Sequence, residues 1–194
     1  MPYERFYFFA LNHSSKIFSD SNNRNIFLNN INKEKLSSEL KKYNLQVMGS
    51  LVSPNFSHLL GVRIVKKNNV KNKHMRLPKL KVLSLESQQS DNLINSAIGD
   101  LDYKLYNLPK KKFIDRLINK DYDVLMLGYG LTLRQVDHLS IFFKKDSFHN
   151  FARVNDQEIN GLVDSLWRTN SHTESTKIYK RIIEKNTKNN CWKK

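Results

Sequence analysis

Between residues 79 and 128 the chain alternates short apolar runs with amphipathic stretches, and this alternation constrains the fold more than any other feature. KLKVLSL (79–85) has the length and composition of a buried strand, and Leu93, Ile94, Ala97 and Ile98 then recur at helical spacing. YKLYNL (103–108) is again strand-like. Pro109 suits the first position of a helix whose Phe113, Ile114, Leu117 and Ile118 form one stripe, and YDVLMLG (122–128) is a third apolar strand. The spacing therefore predicts β-α-β-α-β over residues 79–128. Short alternation of this kind builds a largely parallel sheet with right-handed crossovers, so the expected class is α/β, with helices flanking the sheet.

The remaining segments extend that plan. RFYFFAL (5–11) is apolar on both alternating faces, as a strand covered on two sides would be. A polar loop follows. Asn32 is an N-cap for a helix reaching about Tyr43, with Leu36, Leu40 and Tyr43 on one side and Ile31 as a hydrophobic staple. SPNF (53–56) is a turn, and residues 66–78, basic and closed by Pro78, form a loop or insertion. Near the carboxyl end, Asn155 with Glu158 approximates a capping box ahead of Ile159, Leu162, Val163, Leu166 and Trp167. Ser171 with Glu174 does the same ahead of Ile178, Tyr179, Ile182 and Ile183. Trp167 is expected in the core stripe. There is no internal repeat, and residues 1–194 read as a single unit.

With 39% hydrophobic and 26% charged residues, the chain has the balance of a folded globular protein. Its net charge of +15 raises the question of a polyanionic partner. The lysines, however, are scattered among asparagines, as in KKNNVKNKHMR (66–76) and KNTKNNCWKK (185–194), and no nucleic-acid-binding signature or stacking aromatics accompany them. Solvated faces explain the charge, and nucleic acid is not the expected partner. The single cysteine, Cys191, excludes an internal disulfide and a cysteine-built zinc site. MPYERFYFFALNHSS at the amino terminus lacks the basic region, long apolar core and small-residue cleavage site of an export signal. No window approaches the roughly 18 apolar residues needed to span a membrane.

Catalytic and metal signatures are missing from the pattern. The six histidines, at 13, 58, 74, 138, 149 and 172, show neither i, i+4 pairing nor HExxH spacing. Asp137 and His138 are adjacent in sequence and would diverge on a helix, while Ser140 lies in no G-x-S-x-G elbow. Gly128 and Gly130 lack the third glycine or the following Lys-Ser/Thr of a phosphate loop. No cofactor is implied, and an enzyme is not the expected class.

What stands out instead is the end of the third strand, LGYGLT (127–132). In open α/β sheets ligands sit beyond the carboxyl ends of parallel strands. Gly128 and Gly130 remove side-chain bulk on either side of Tyr129, so an extended guest could exchange main-chain hydrogen bonds there, with Tyr129 as a flat wall. The alternative is a simple bend with Tyr129 as packing. The candidate ligand-binding residues are Gly128, Tyr129, Gly130 and Thr132.

Two sets of motifs carry a resemblance. In the carboxyl half these are Tyr122-Asp123, Gly128-Tyr129, Phe148-His149-Asn150-Phe151, the run Asn155 to Val163, and Lys177-Ile178-Tyr179. In the amino half they are Asn12, Phe18, Asp20, Arg24, Ile26, Ile31, Asn32, Lys33, Glu34 and Leu36. Together they resemble the second lobe of family 5 extracellular solute-binding proteins, the peptide- and nickel-binding components of ABC importers. The resemblance covers about three quarters of the chain and fails in the lysine-rich middle.

It implies a periplasmic-binding-protein-like lobe that captures a peptide or another small solute and delivers it to an ABC permease, outside the cytoplasm. It also implies a first lobe completing the cleft, with residues 1–194 as one lobe of a longer protein. Several positions depart from the family pattern, including the absent second arginine and alanine of the early helix. Ile17 replaces a proline, Tyr129 replaces a tryptophan, and Thr132 stands where peptide-binding members carry the aspartate that pairs with the ligand's α-amino group. A threonine hydroxyl supplies no countercharge. Two other readings stay open at this stage: a cytoplasmic metabolite-sensing domain of a transcription regulator, and a vestigial gene fragment.

Overall fold

The computed structural model describes residues 3–45, 76–132 and 142–188. Four strands, β1 (Tyr3–Leu11), β2 (Leu80–Leu85), β3 (Tyr103–Leu108) and β4 (Val124–Thr132), form one sheet in the order β1-β4-β2-β3. β2 pairs in parallel with both β3 and β4, and β1 runs antiparallel along β4. The expected parallel β-α-β-α-β unit is thus present, with β2 at its centre. Residues 46–75 and 133–141, which include the SPNF turn, most of the basic segment 66–78, Asp137, His138 and Ser140, lie outside the described residues.

Helices cover both faces. On one side lie α1 (Ser21–Asn30), α2 (Lys33–Lys41) and α3 (Gln88–Ile98); on the other lie α4 (Lys110–Ile118), α5 (Gln157–Arg168) and α6 (His172–Lys188). Alternation along the strands divides the core accordingly. Leu11, Leu80, Val82, Val124 and Met126 face α1 to α3, whereas Phe8, Ala10, Leu83 and Leu125 face α4 to α6. β1 is covered on both faces, as its composition predicts. Leu93, Ile94, Ala97 and Ile98 are the buried stripe of α3.

Several local expectations need correction. The polar segment before Asn32 contains α1, with Asp20 as N-cap accepting from the Asn22 amide at 2.8 Å. SNNRNIFLNN is a poor helix former by composition. Tertiary contacts decide it: Phe27 and Leu28 are buried, Phe27 meets Phe18 edge-on at 5.5 Å, and the buried Arg24 guanidinium donates to the Phe18 and Ser19 carbonyls at 2.6 and 3.0 Å. The cap of α5 is Asp156 rather than Asn155, and it accepts from the Glu158 and Ile159 amides. Pro109 is the N-cap of α4 rather than its first residue. Before α6, the Ser171 hydroxyl does accept from the Glu174 amide, while the Glu174 carboxylate takes the Thr169 hydroxyl.

Trp167 and Ile118, both expected in core stripes, are 58% and 57% exposed. Each lies at the last turn of its helix. The buried face of α5 is Ile159, Leu162, Val163 and Leu166, and at about 100° per residue Trp167 falls roughly 90° from its centre. Trp167→Ser should therefore change stability by less than about 1 kcal/mol. A thermal-melt shift of more than a few degrees would contradict this placement.

Candidate ligand-binding site

The site follows from unequal strand lengths. β1 pairs with β4 over its whole run, from Leu11 opposite Val124 to Tyr3 opposite Thr132, but β2 pairs with β4 only from Val82 opposite Val124 to Ser84 opposite Met126. Past Leu85, β2 turns toward β3, where the Glu86 amide donates to the Leu108 carbonyl at 2.9 Å, and then enters α3 through the Ser87 cap. From Leu127 onward, no described strand occupies the β2-side edge of β4. Backbone groups alternate between the two edges of a strand, so half of those at 127–132 face β1 and half face the side that no described strand occupies.

This revises the expected strand end. The sequence pattern predicts a strand that stops at Gly128, whereas residues 128–132 belong to β4 itself. Glycine is a weak strand former, and β1 supplies the reason the ladder continues through two of them. Gly128 is exposed and lies directly opposite Tyr7. A Cβ on residue 128 would sit 2.8 Å from Tyr7 Cε1 and 3.2 Å from Cδ1, so the glycine makes room for that ring. Tyr129, Gly130 and Thr132 have their backbones in β4, paired with Phe6, Arg5 and Tyr3; the side chains of Tyr129 and Thr132 lie outside the described residues.

Around this edge, groups that sequence reasoning did not single out come together. The Tyr7 hydroxyl donates to Gln89 Oε1 at 2.9 Å, tying β1 to the first turn of α3. At the ends of β2 and β3, the Ser84 hydroxyl donates to Asn107 Oδ1 at 3.1 Å, and Asn107 Nδ2 donates to Asp91 Oδ2 at 2.8 Å. The other Asp91 oxygen is buried with no hydrogen-bond partner among the described residues. The parity of β1 shows in FYFFAL, but its register against β4 does not, so Tyr7 could not be matched to Gly128 from sequence. Among the described residues no cluster of three His, Cys, Asp or Glu could hold a metal ion.

Motif residues of both halves serve the scaffold. Asn12 is buried at the exit of β1, donates through Nδ2 to the Lys120 and Tyr122 carbonyls at 3.3 and 2.8 Å, and accepts from the Ser14 amide and hydroxyl. Asp123 accepts the Lys81 amide at 2.8 Å, and the Tyr122 hydroxyl donates to the Phe151 carbonyl at 2.8 Å. Asn32 caps α2 through the Lys35 amide. These groups fix where β1, β2 and β4 begin or end, at the opposite end of the sheet from Gly128.

No family model and no curated protein matches the sequence. Solved structures do match. Against OppA of Haemophilus influenzae in complex with RPPGFSPFR, the TM-score is 0.72 at 16% identity, over 97% of this chain and 42% of that one. Against the oligopeptide-binding protein AppA of Bacillus subtilis in complex with a nonapeptide, it is 0.70 at 13% identity, over 98% of this chain and 45% of that one. A peptide-binding protein of a peptide ABC transporter gives 0.74 at 14% identity, over 95% of each chain. The fold is the one shared with these peptide-binding proteins. At the level of fold, the resemblance drawn from the sequence motifs is borne out. The chain spans less than half the length of the OppA and AppA substrate-binding proteins.

Proposed function

We propose that this chain is the non-catalytic ligand-binding lobe of a solute-binding protein, which receives a peptide or another small extended solute along the open edge of β4. The observation that carries this reading is the run of β4 from Leu127 to Thr132, paired on one side by β1 and on the other by no described strand. An extended guest could add there as a further strand, its main chain supplying affinity and pockets for alternate side chains supplying selectivity. Gly128 and Gly130 let the guest approach closely, and Tyr129 and Thr132 are the side chains assigned to its contact. The OppA and AppA structures, each solved with a peptide, support the ligand class.

A first lobe would close over the guest, and an ABC permease would receive it outside the cytoplasm. A single lobe offers half of such a cleft, so affinity for the isolated chain should be weak, because closure supplies most of the burial. Backbone amide spectra of the labelled chain, titrated with short peptides at millimolar concentration, test the reading. Shifts should concentrate at 127–132, and the double variant Tyr129→Ala/Thr132→Ala should weaken binding about tenfold or more. Shifts confined to another surface, or affinity unaltered in the double variant, would remove the site.

A further inference from the structure

The aromatic wall of this edge need not be Tyr129. We propose that Tyr7, reaching across Gly128, is the residue that reads the guest side chain next to position 128 and selects an aromatic one. This rests on the strand-addition reading above and names the class of residue the site accepts.

Tyr7 and Gly128 are directly opposed in the β1–β4 ladder, so their side-chain positions lie on the same sheet face, the one packed against α3. With no Cβ at 128, the Tyr7 ring leans over β4: Cε1, Cδ1 and Cζ come within 2.8, 3.2 and 3.4 Å of where that Cβ would be. The hydroxyl holds the ring there, because its acceptor, Gln89 Oε1, belongs to α3, which packs on the same sheet face. The ring therefore both leans over β4 at Gly128 and is tethered at its far end.

A guest strand on that edge would run about 4.8 Å from β4. Its residue beside Gly128 would have no neighbouring side chain on β4 to pack against. The Tyr7 ring fills that gap. Aromatic pairs across strands interact more strongly than aromatic–alanine pairs, so a guest phenylalanine in this register gains a partner that alanine does not. Gly128 is exposed while Tyr7 is half-buried, so the ring borders solvent at this point. A glycine placed only to permit a bend would not require a tethered ring over it.

The test uses the whole chain and two sets of soluble alanine-based heptapeptides, one unsubstituted and one carrying a single phenylalanine at each position in turn, with affinities taken from amide shifts. Phenylalanine at one register should bind roughly threefold to tenfold more tightly than alanine. Tyr7→Phe, which keeps the ring but loses its tether to Gln89, should reduce that preference, while Tyr7→Leu should erase it without weakening the unsubstituted peptide, which also serves as the check on folding. Equal binding of all peptides by the wild-type chain, or a preference that survives in Tyr7→Leu, overturns the role of Tyr7 alone. Failure of every peptide to bind the wild-type chain overturns the solute-binding reading itself.

Discussion

Asn12→Leu should lower the thermal midpoint by roughly 10 °C, corresponding to about 3 to 4 kcal/mol. Asn12 is 1% exposed, and its amide group satisfies the Lys120 and Tyr122 carbonyls and the Ser14 amide and hydroxyl at once. Leucine nearly matches its volume but leaves each of those groups unpaired, at a cost of about 1 to 3 kcal/mol for a buried one. Lys120 is the more sensitive partner, since it sits at φ 57°, a left-handed conformation that a lysine adopts only when surrounding contacts hold it. The neighbouring ladder should loosen as well: the Asn12 amide donates to Asp123, which is bonded in turn to Lys81 of β2. Denaturant unfolding of the variant measures the effect directly. A loss below about 1 kcal/mol would show that this junction does not hold the sheet together.

The second large effect is one of pH. His13 lies just beyond Asn12, its amide donating to the Ala152 carbonyl, and its Nε2 is buried without a hydrogen-bond partner among the described residues. Burial first, and the Arg24 guanidinium second, lower its pKa from 6.5 to about 4. The folded state thus holds the imidazole neutral, whereas the unfolded chain takes up a proton near pH 6.5. The stabilisation is complete above pH 6.5 and is lost progressively as the pH falls from 6.5 toward 4. Allowing for partial exposure, it amounts to roughly 2 kcal/mol. His149 is shifted in the same direction by burial and contributes in the same window.

The melting midpoint, measured at half-unit steps between pH 7 and 4, should therefore fall as the pH falls for the wild-type chain and fall less in His13→Leu, with His149→Gln reducing the dependence further. An unchanged slope in His13→Leu would mean that the imidazole is not held neutral. The lowered pKa values of Asp121 and Asp164 come chiefly from hydrogen bonds with Lys81 and Lys144. Their contributions are lost at more acidic pH, because these carboxylates must be protonated for those bonds to weaken.

Local chemistry accounts for much of what was readable beforehand. The apolar runs of β2 and β3, the stripe of α3, the Asn32 cap and the two-sided burial of β1 all depend on residues within a few positions of one another. Helix and strand periods express those dependences directly. The motifs around Asn12, Arg24 and Tyr122 pointed to the right fold because they mark junctions, where buried polar groups must find particular partners.

The errors share a physical origin. Composition made residues 21–30 look like loop, but Phe18, Phe27 and the carbonyls bonded by Arg24 impose a helix. Trp167 and Ile118 fit the apolar pattern, yet at the last turns of their helices both are exposed. Sequence by itself determined that the chain would stack helices on a mostly parallel sheet. Tertiary structure alone decided that β4 continues to Thr132, that β2 leaves it at Met126, and that Tyr7 rather than a residue of β4 covers Gly128. Those outcomes depend on the register between segments far apart in the chain, and a register is fixed by the sum of ladder hydrogen bonds and face-to-face packing over the whole sheet, which no single stretch encodes.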